Sequence, residues 1–204
     1  MKFIETREEL RAGYGTVGEA ASRKVLPGLD AHGRAFLARC PFVAIGSEGQ
    51  GGRADVTPKG DRPGFIAVLD EKTIAIPDRP GNNRLDTWEN VIDNPAIGLL
   101  CLIPGMQETL RINGEARLTF DAGLCAELGV DGRPAKAVLV VKIREVFMHC
   151  AKAFIRSELW KPESWPDRAE MPTLGQILRD QLALVESADV LDVTLAEAYR
   201  KSLW

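Results

Sequence analysis

Apolar residues recur at every second position between Pro41 and His149, and this period of two constrains the fold more than any other feature of the chain. The alternating runs are short, β-rich and separated by turn residues, as expected of strands. Seven strands are predicted: Phe42–Ser47, Arg53–Thr57, Phe65–Leu69, Thr73–Pro77, Ile97–Ile103, Thr109–Phe120 and Lys136–Phe147. Seven strands joined by short connections indicate an antiparallel sheet or barrel.

The segments on either side of the strands are typical of helices. In the first 40 residues, Thr6 and Glu9 offer a capping box and Asp30 offers an N-cap for a short helix. Four further helices are predicted: Arg84–Asp93, Asp121–Leu128, Thr173–Val185 and Asp189–Ser202. The sequence therefore predicts an α+β fold with a single domain, 1–204. We expect it to comprise a helical lead-in (1–40), a strand-rich core (41–149) and a C-terminal helical extension (150–204).

Composition and charge argue against several classes of protein. Hydrophobic residues make up 45% of the 204 residues and charged residues 27%, which is ordinary for a globular chain. The formal net charge of -3 provides no basic excess for binding nucleic acid. No apolar run approaches the roughly 20 residues that span a bilayer, so no membrane association is expected. The polar stretch that follows Met1 does not resemble a signal peptide, so we expect a cytoplasmic protein.

The cysteines and histidines form no recognisable metal or catalytic pattern. The four cysteines are widely spaced, without a C-x-x-C pair: Cys40, Cys101, Cys125 and Cys150. We expect all four to be reduced, buried thiols and no bound zinc. His149 ends an apolar strand and is expected in the core or at an interface. Signatures of phosphate loops, zinc proteases and serine hydrolases are absent from the sequence, and the glycine-rich stretch 46–52 is expected to connect two strands.

Polar residues concentrate in two segments where folding alone gives them no evident role. In the first, strand alternation places Arg53, Asp55 and Thr57 on one face, and the turn at Pro58 brings Lys59 to the end of that face. Arginine and lysine together with a hydroxyl donor are suited to binding a phosphate group. The first segment therefore predicts one half of an anion site.

The second segment, 76–84, runs from a strand through a Pro/Gly turn into a helix. Asn83 is predicted to be the N-cap of this helix, and Leu85, Trp88 and Ile92 its buried stripe. A helix N-terminus that also carries Arg84 is favourable for phosphate.

The alternative to a phosphate site is a surface cluster of ion pairs. Four acids and four bases of the two segments could form it: Asp55, Asp61, Asp78 and Asp86 with Arg53, Lys59, Arg79 and Arg84.

Four segments of the chain resemble, in the same order, the pyridoxamine 5'-phosphate oxidase-like flavoproteins: Arg53–Asp61, Ile76–Asp78 with Gly81–Arg84, Arg111–Ala116 and Lys152–Trp160. The resemblance extends from about Pro41 to Trp160. It implies an FMN-binding split β-barrel with N- and C-terminal helices, and a homodimer with FMN at the subunit interface. Within the superfamily, the chain is most similar to a bacterial subgroup described as FMN-dependent.

The resemblance also implies which residues bind the cofactor. Arg53, Thr57 and Lys59 match positions that meet the ribityl and phosphate groups, and Asn83 and Arg84 match the phosphate-binding pair. Asp55 lies on the same polar face, and the backbone of Val56, Ile76, Pro77 and Asp78 is implied to lie along the flavin ring. Thr109 occupies a position where the phosphate oxidases have a glutamine. Lys152 and Arg156 are implied to lie near the flavin or the substrate. Lys152 and Arg156 could equally be two solvated cations beside Glu158 and Glu163.

The chain departs from the phosphate oxidases at its end, where Leu195–Trp204 replaces a strand with an Arg-x-His pair. The resemblance therefore implies an FMN-dependent oxidoreductase that acts on another small molecule by hydride transfer at the flavin N5 atom. Three alternatives stay open at this point: a flavin-binding protein without turnover, a split barrel that binds haem or F420, and a structural dimer module. For haem, His149 is the candidate axial ligand.

Overall fold

The computed structural model describes residues 1–203, and all seven predicted strands are present. The strands are β1 (Phe42–Glu48), β2 (Ala54–Gly60), β3 (Ala67–Val68), β4 (Thr73–Pro77), β5 (Ala96–Leu102), β6 (Thr109–Thr119) and β7 (Val138–His149). The α-helices are α1 (Arg7–Ala12), α2 (Glu19–Arg23), α3 (Ala31–Leu37), α4 (Asp86–Asp93), α5 (Ala122–Glu127), α6 (Lys152–Ser157), α7 (Leu174–Leu182) and α8 (Ala188–Ser202). Short 3-10 turns occupy Gln50–Gly52, Pro162–Ser164 and Arg168–Glu170.

The strands form one antiparallel sheet in the order β2-β1-β5-β6-β7-β4-β3. The two halves of the sheet approach each other at one end, where Lys59 Nζ of β2 lies 3.2 Å from the Asp78 carboxylate that follows β4. Because this contact is made by side chains and the edge strands β2 and β3 are not paired, the sheet is a barrel with an open seam. The predicted α+β split-barrel fold is confirmed.

The barrel interior explains the alternating sequence. Val43 and Ile45 of β1 and Leu99 and Cys101 of β5 are fully or almost fully buried, while their neighbours along each strand are more accessible. Strand β4 is the exception, because all five of its residues are buried. Its Ala75 belongs to a small second cluster beneath α5, so both faces of this strand are covered.

Of the three helices in the N-terminal lead-in, only α3 buries residues. In the lead-in, the Asp30 side chain accepts a hydrogen bond from Gly33 N (2.7 Å), and α3 buries Phe36 and Leu37 as predicted. Thr6 accepts a hydrogen bond from Glu9 N, but the Glu9 carboxylate accepts its bond from Glu5 N, so only half of the predicted capping box forms. Helices α1 and α2 bury no residue.

Helices α7 and α8 pack against each other as a hairpin. Their close approach requires glycine at position 175, because a Cβ there would lie 2.5 Å from Ala188 O. Gly175 N donates a 2.7 Å hydrogen bond to Asp192, which joins the two helices. None of the described helices is long and apolar enough to cross a membrane.

Candidate functional site

Strand β2 presents one polar face to the seam of the barrel. Asp55, Thr57 and Lys59 are half-buried, whereas the intervening Val56 is 72% exposed on the outer face. The alternation predicted for this strand is therefore confirmed, but the turn predicted at Pro58 is wrong, because β2 continues to Gly60 and Lys59 lies on the polar face as part of the strand. Arg53 lies just before β2, and its guanidinium reaches to 3.8 Å from the Asp86 carboxylate at the start of α4.

Asn83 does not cap α4, and the prediction that it would is wrong. The helix begins at Asp86, and its N-cap position is Leu85, which makes no side-chain capping bond. Asn83 has a φ of 58°, in the left-handed region, whereas an N-cap residue usually has a negative φ. Its side-chain oxygen instead accepts a hydrogen bond from Lys136 Nζ (3.0 Å). Arg84 consequently precedes the helix.

The buried face of α4 also differs from the predicted stripe of Leu85, Trp88 and Ile92. Trp88 is buried, but Leu85 and Ile92 are exposed. The face turned towards the barrel carries Thr87, Trp88, Asn90 and Val91. Two polar side chains are buried there because each has a partner on the sheet: Thr87 Oγ1 donates to Asp55 (2.6 Å), and Asn90 Nδ2 donates to Ser47 Oγ (3.0 Å). Asp55 therefore positions α4 against β2.

A cavity of about 770 Å³ lies beside the exposed edge of α4. One part of its wall is apolar and includes Trp88, Ile92, Leu118 and Phe120. The rest is polar and mostly basic: Lys59, Asp78, Arg79, Asn82, Asn83, Arg84, Glu89, Arg117 and Lys136. A volume of this size is within the range of about 300–1,000 Å³ that is usual for small-molecule and cofactor sites.

Two arginines meet beside this cavity. Arg84 Nε donates to Asp86 Oδ2 at 2.5 Å, and Arg53 approaches the other oxygen of the same carboxylate. The hydrogen bond from Arg84 lowers the pKa of Asp86, and the same bond raises the pKa of Arg84. Arg53 and Arg84, which are 31 positions apart in the sequence, therefore share one small volume next to α4.

Lys59 closes the seam of the barrel with two contacts. Its ammonium lies 3.2 Å from Asp78 and 4.4 Å from the centre of the Trp88 ring, a distance typical of cation–π contacts. Two residues further along the chain, Asp61 pairs with Arg79 at 2.5 Å. The ion pairs named as the alternative to a phosphate site are thus formed, because Arg53, Lys59, Arg79 and Arg84 each contact an aspartate.

The backbone positions assigned to the flavin ring lie on two strands. Ile76 and Pro77 end β4 and are buried, and Asp78 N donates to Ala137 O (2.9 Å). Val56 lies on the opposite side of the seam, in β2. Of the predicted cofactor residues, Lys59, Asp78, Asn83 and Arg84 line the cavity, and Arg53 and Asp55 contact residues of α4 beside it.

Thr109, Lys152 and Arg156 lie elsewhere. Thr109 begins β6 and is paired with His149 at the end of β7, whereas Leu118, nine residues further along β6, lines the cavity. At about 3.3 Å per residue, the two ends of this strand are roughly 30 Å apart. Lys152 and Arg156 follow on α6 and are exposed. Within one chain, these three residues are not brought to the cavity.

The cysteines and His149 do not contribute to the cavity wall. Cys40, Cys101 and Cys125 are buried as predicted, but Cys150 is exposed, because it lies just beyond the end of β7. A hydrogen bond with Cys40 and complete burial raise the pKa of Cys101 well above its ordinary value, so this thiol is uncharged. Within residues 1–203, no three His, Cys, Asp or Glu side chains are grouped as a metal site requires.

Several residues of the cavity wall were not assigned to a cofactor site from the sequence. Arg79 was considered only as a member of an ion pair, and Lys136, Leu118 and Phe120 only as part of strands. The only available signal was the basic character of Arg79 and Lys136. Their approach depends on contacts between segments about 55 residues apart, which no local pattern encodes.

The family model described as "Pyridoxamine 5'-phosphate oxidase" matches residues 29–150. No curated protein sequence matches the chain. Similar solved structures include a putative pyridoxamine 5'-phosphate oxidase from Lactobacillus delbrueckii (18% identity, 60% of this chain and 95% of that chain, TM-score 0.48). They also include HupZ from Group A Streptococcus (18% identity, 59% and 93%, TM-score 0.47). A third is the conserved hypothetical protein Rv2991 from Mycobacterium tuberculosis (12% identity, 72% and 97%, TM-score 0.45). The family match spans all seven strands and α4, but not α7 and α8.

Proposed function

Because the chain belongs to the pyridoxamine 5'-phosphate oxidase family, we propose that it binds FMN and acts as an oxidoreductase on an unidentified small molecule. The observation that carries this proposal is the convergence of Arg53 and Arg84 beside a cavity of cofactor size with one apolar wall. A phosphate dianion and a flat aromatic ring need these two environments next to each other.

The residues present fit the phosphate end of FMN. A guanidinium has five N–H groups, so Arg84 retains donors for a phosphate oxygen after it has bonded to Asp86. Arg53 lies 3.8 Å from Asp86, a distance beyond a hydrogen bond, so its donors are not committed to this carboxylate. Both side chains are largely accessible to solvent, with 74% and 78% exposure. In this proposal Asp86 keeps the two guanidinium groups close together until the phosphate binds.

The apolar wall fits the ring end. Trp88 is buried and fixed, with Lys59 over its ring, whereas Leu118 and Phe120 lie at the end of β6. When bound, FMN would supply hydride transfer to or from a substrate. The chain's own residues would hold the phosphate through Arg53 and Arg84, orient the ring against the apolar wall and exclude water from it. Of the backbone that the family resemblance assigns to the ring, Asp78 lines the cavity and would border the ring, whereas Ile76 and Pro77 are buried behind it.

We also propose that the protein is a homodimer with the cofactor at the interface. The predicted cofactor residues divide into a group at the cavity and a group beyond the far ends of β6 and β7, roughly 20–30 Å away along the strand. A two-fold arrangement of two copies would bring Thr109, Lys152 and Arg156 of one copy to the cavity of the other. Phe120 and Ile92 support this arrangement, because these apolar side chains are 81% and 74% exposed at the cavity. Light scattering on the purified protein should give twice the chain mass; a monomer at micromolar concentration would contradict this proposal.

The cavity wall gives no support to haem as the cofactor. Among the described residues that line the cavity, none is His, Cys or Met. Within one chain, His149, the candidate axial ligand, lies at the opposite end of β7 from Ala137 and Lys136, which line the cavity. In the proposed homodimer it would come to the cavity of the other copy together with its strand partner Thr109, so a haem site would need both copies. A purified protein with a Soret band would overturn this argument.

FMN binding is tested by denaturing the purified protein and recording the absorbance and fluorescence of any released flavin, and then by titrating FMN into the flavin-free protein. Arg84→Ala should weaken FMN binding about 10- to 100-fold, because it removes a charge-assisted hydrogen bond to the phosphate. Arg144→Ala is the matched control, since Arg144 is an exposed arginine that pairs with Glu115 on the outer face of the sheet. A protein that neither contains nor binds FMN would contradict the proposal.

Turnover needs a separate test, because a flavin-binding protein without activity would pass the first one. We expect NADH or NADPH to reduce the bound flavin and an added acceptor to reoxidise it repeatedly. Flavin that binds tightly but is not reduced by either donor would indicate a flavin-binding protein without this oxidoreductase activity.

A further inference from the structure

A second cavity of about 530 Å³ adjoins the first. The two cavities share part of their walls, and the shared residues are Asp78, Arg79, Gly81, Asn83 and Lys136. Arg84 lines only the first cavity, and Arg133 only the second. The shared wall is therefore distinct from the place where Arg53 and Arg84 meet.

Arg79 is held rigidly at this shared wall. Its Nε donates to Asp61 Oδ2 (2.5 Å), and its Nη1 donates to Leu128 O (2.9 Å). The pair is well shielded, with side-chain exposures of 16% for Arg79 and 2% for Asp61. Two of the five guanidinium N–H groups are used in these bonds, and three remain for a ligand. A fixed guanidinium binds without the entropy cost of ordering a long side chain.

The charge around the second cavity favours an anion. Three basic residues line it, Arg79, Arg133 and Lys136, together with a single acid, Asp78. Asp78 is already ion-paired with Lys59. Lys136 donates to Asn83, and an ammonium has two further N–H groups. With Arg79 balanced by Asp61 and Asp78 balanced by Lys59, the ammonium group of Lys136 is the charge that favours an anion at the shared wall, although the whole chain has a formal charge of -3.

We propose that Arg79 binds a carboxylate or phosphate group of the substrate where the two cavities meet, and that Asp61 is the residue that positions it. This inference rests on the proposed function, because the substrate is the molecule that would lie next to the cofactor in the first cavity. Both anionic groups offer two oxygens in the geometry that a guanidinium matches. The protein is therefore selective for anionic substrates over neutral or cationic ones.

The test uses the FMN-saturated protein at constant ionic strength, with chloride exchanged for inorganic phosphate in one titration and for acetate in another. Binding next to the flavin is followed by the change in visible absorbance. We expect a saturable change with at least one of the two anions, and the one that binds more tightly identifies the group. In Arg79→Gln the dissociation constant for that anion should rise about 10- to 100-fold, and the dissociation constant for FMN should change less than it does in Arg84→Ala.

Two further variants keep the test decisive. Arg79→Gln leaves Asp61 buried without its partner, so the double variant Asp61→Asn/Arg79→Gln, which removes both charges, serves if the single variant does not fold. Asp61→Asn alone should weaken anion binding without weakening FMN binding, since it loosens Arg79 but keeps its charge. Arg144→Gln is the matched control, because it removes an arginine that lines neither cavity.

Failure of this inference is distinguishable from failure of the proposed function. If FMN binds but neither anion gives a saturable change, or if Arg79→Gln responds like the wild type, Arg79 is not an anion-binding residue. If FMN does not bind at all, the proposed function fails. The role of Arg79 is then decided by the same anion titrations on the flavin-free protein, with tryptophan fluorescence as the signal.

Discussion

Two ion pairs that each contribute an arginine to the wall of the same cavity have the same contact distance and opposite environments. Arg79 Nε lies 2.5 Å from Asp61, and Arg84 Nε lies 2.5 Å from Asp86. The first pair has side-chain exposures of 16% and 2%, and the second of 78% and 28%. Arg79 has an additional bond to a backbone carbonyl, whereas Arg84 shares its aspartate with Arg53.

The difference between these pairs shows why distance alone does not reveal what an ion pair does. In the shielded pair, solvent cannot replace a lost partner, so the pair fixes the position of Arg79. In the exposed pair, water competes with the aspartate for the arginine, so exchanging the carboxylate for a ligand phosphate costs little. The geometry is therefore consistent with a positioning role for Asp61 and with an exchangeable role for Asp86.

The largest effect is expected from breaking the shielded pair. Asp61→Ala leaves the Arg79 guanidinium buried without its acid and should lower the free energy of unfolding by about 3–5 kcal/mol. Urea denaturation followed by circular dichroism measures this loss. A loss below about 1 kcal/mol would mean that the pair behaves like an exposed one, and the contrast between the two pairs would then be lost.

A double variant sharpens the same comparison. Asp61→Ala/Arg79→Leu removes both charges and should recover part of the stability lost in Asp61→Ala, because no unpaired charge stays buried. The control is Arg79→Leu alone, which leaves Asp61 unpaired and should be as unstable as Asp61→Ala.

A smaller effect, and on binding rather than stability, is expected from Asp86→Ala. This change removes the carboxylate that competes with the cofactor phosphate for Arg53 and Arg84, so FMN should bind more tightly, by up to about tenfold. The melting temperature of the flavin-free protein should change by less than about 4 °C, since the pair is exposed. Weaker FMN binding in this variant would contradict the expectation and would mean that the ordering of Arg53 and Arg84 by Asp86 outweighs its competition with the phosphate.

The fold could be predicted from the sequence because the pattern of apolar residues within each strand is a local feature of the chain. The alternation in β1 and β6 and the mostly apolar run of β4 follow from which faces are covered. The strand bounds differ from the predicted ones by at most three residues. The short β3 is the weakest case, with two residues formed of the five predicted. Burial of apolar side chains on a period of two is a local property, so a single sequence reveals it.

The details of the candidate site were less accessible, because they depend on partners distant in the chain. The buried face of α4 includes Thr87 and Asn90, and only their partners Asp55 and Ser47 make that burial favourable. Asn83 has a left-handed backbone and bonds to Lys136, 53 residues away. A hydrophobic pattern and an N-cap preference read locally therefore gave the wrong stripe and the wrong start of the helix.

The smallest expected effect is on pH dependence, and it isolates the exposed pair. The hydrogen bond from Arg84 lowers the pKa of Asp86 below its ordinary value of 3.8. A carboxyl group with a lowered pKa in the folded state stabilises that state above the ordinary pKa, and the stabilisation is lost as the pH falls through the lowered value. The melting temperature of the wild type should therefore exceed that of Asp86→Ala by a constant, small amount from neutral pH down to about pH 4.5. The difference should shrink below pH 3.8 and be lost as the pH falls through the lowered pKa, where Asp86 becomes protonated in the folded state as well. A difference that disappears well above pH 3.8 would mean that Arg84 does not stabilise the Asp86 carboxylate in solution, and Asp86 would then not hold the two arginines together before the cofactor binds.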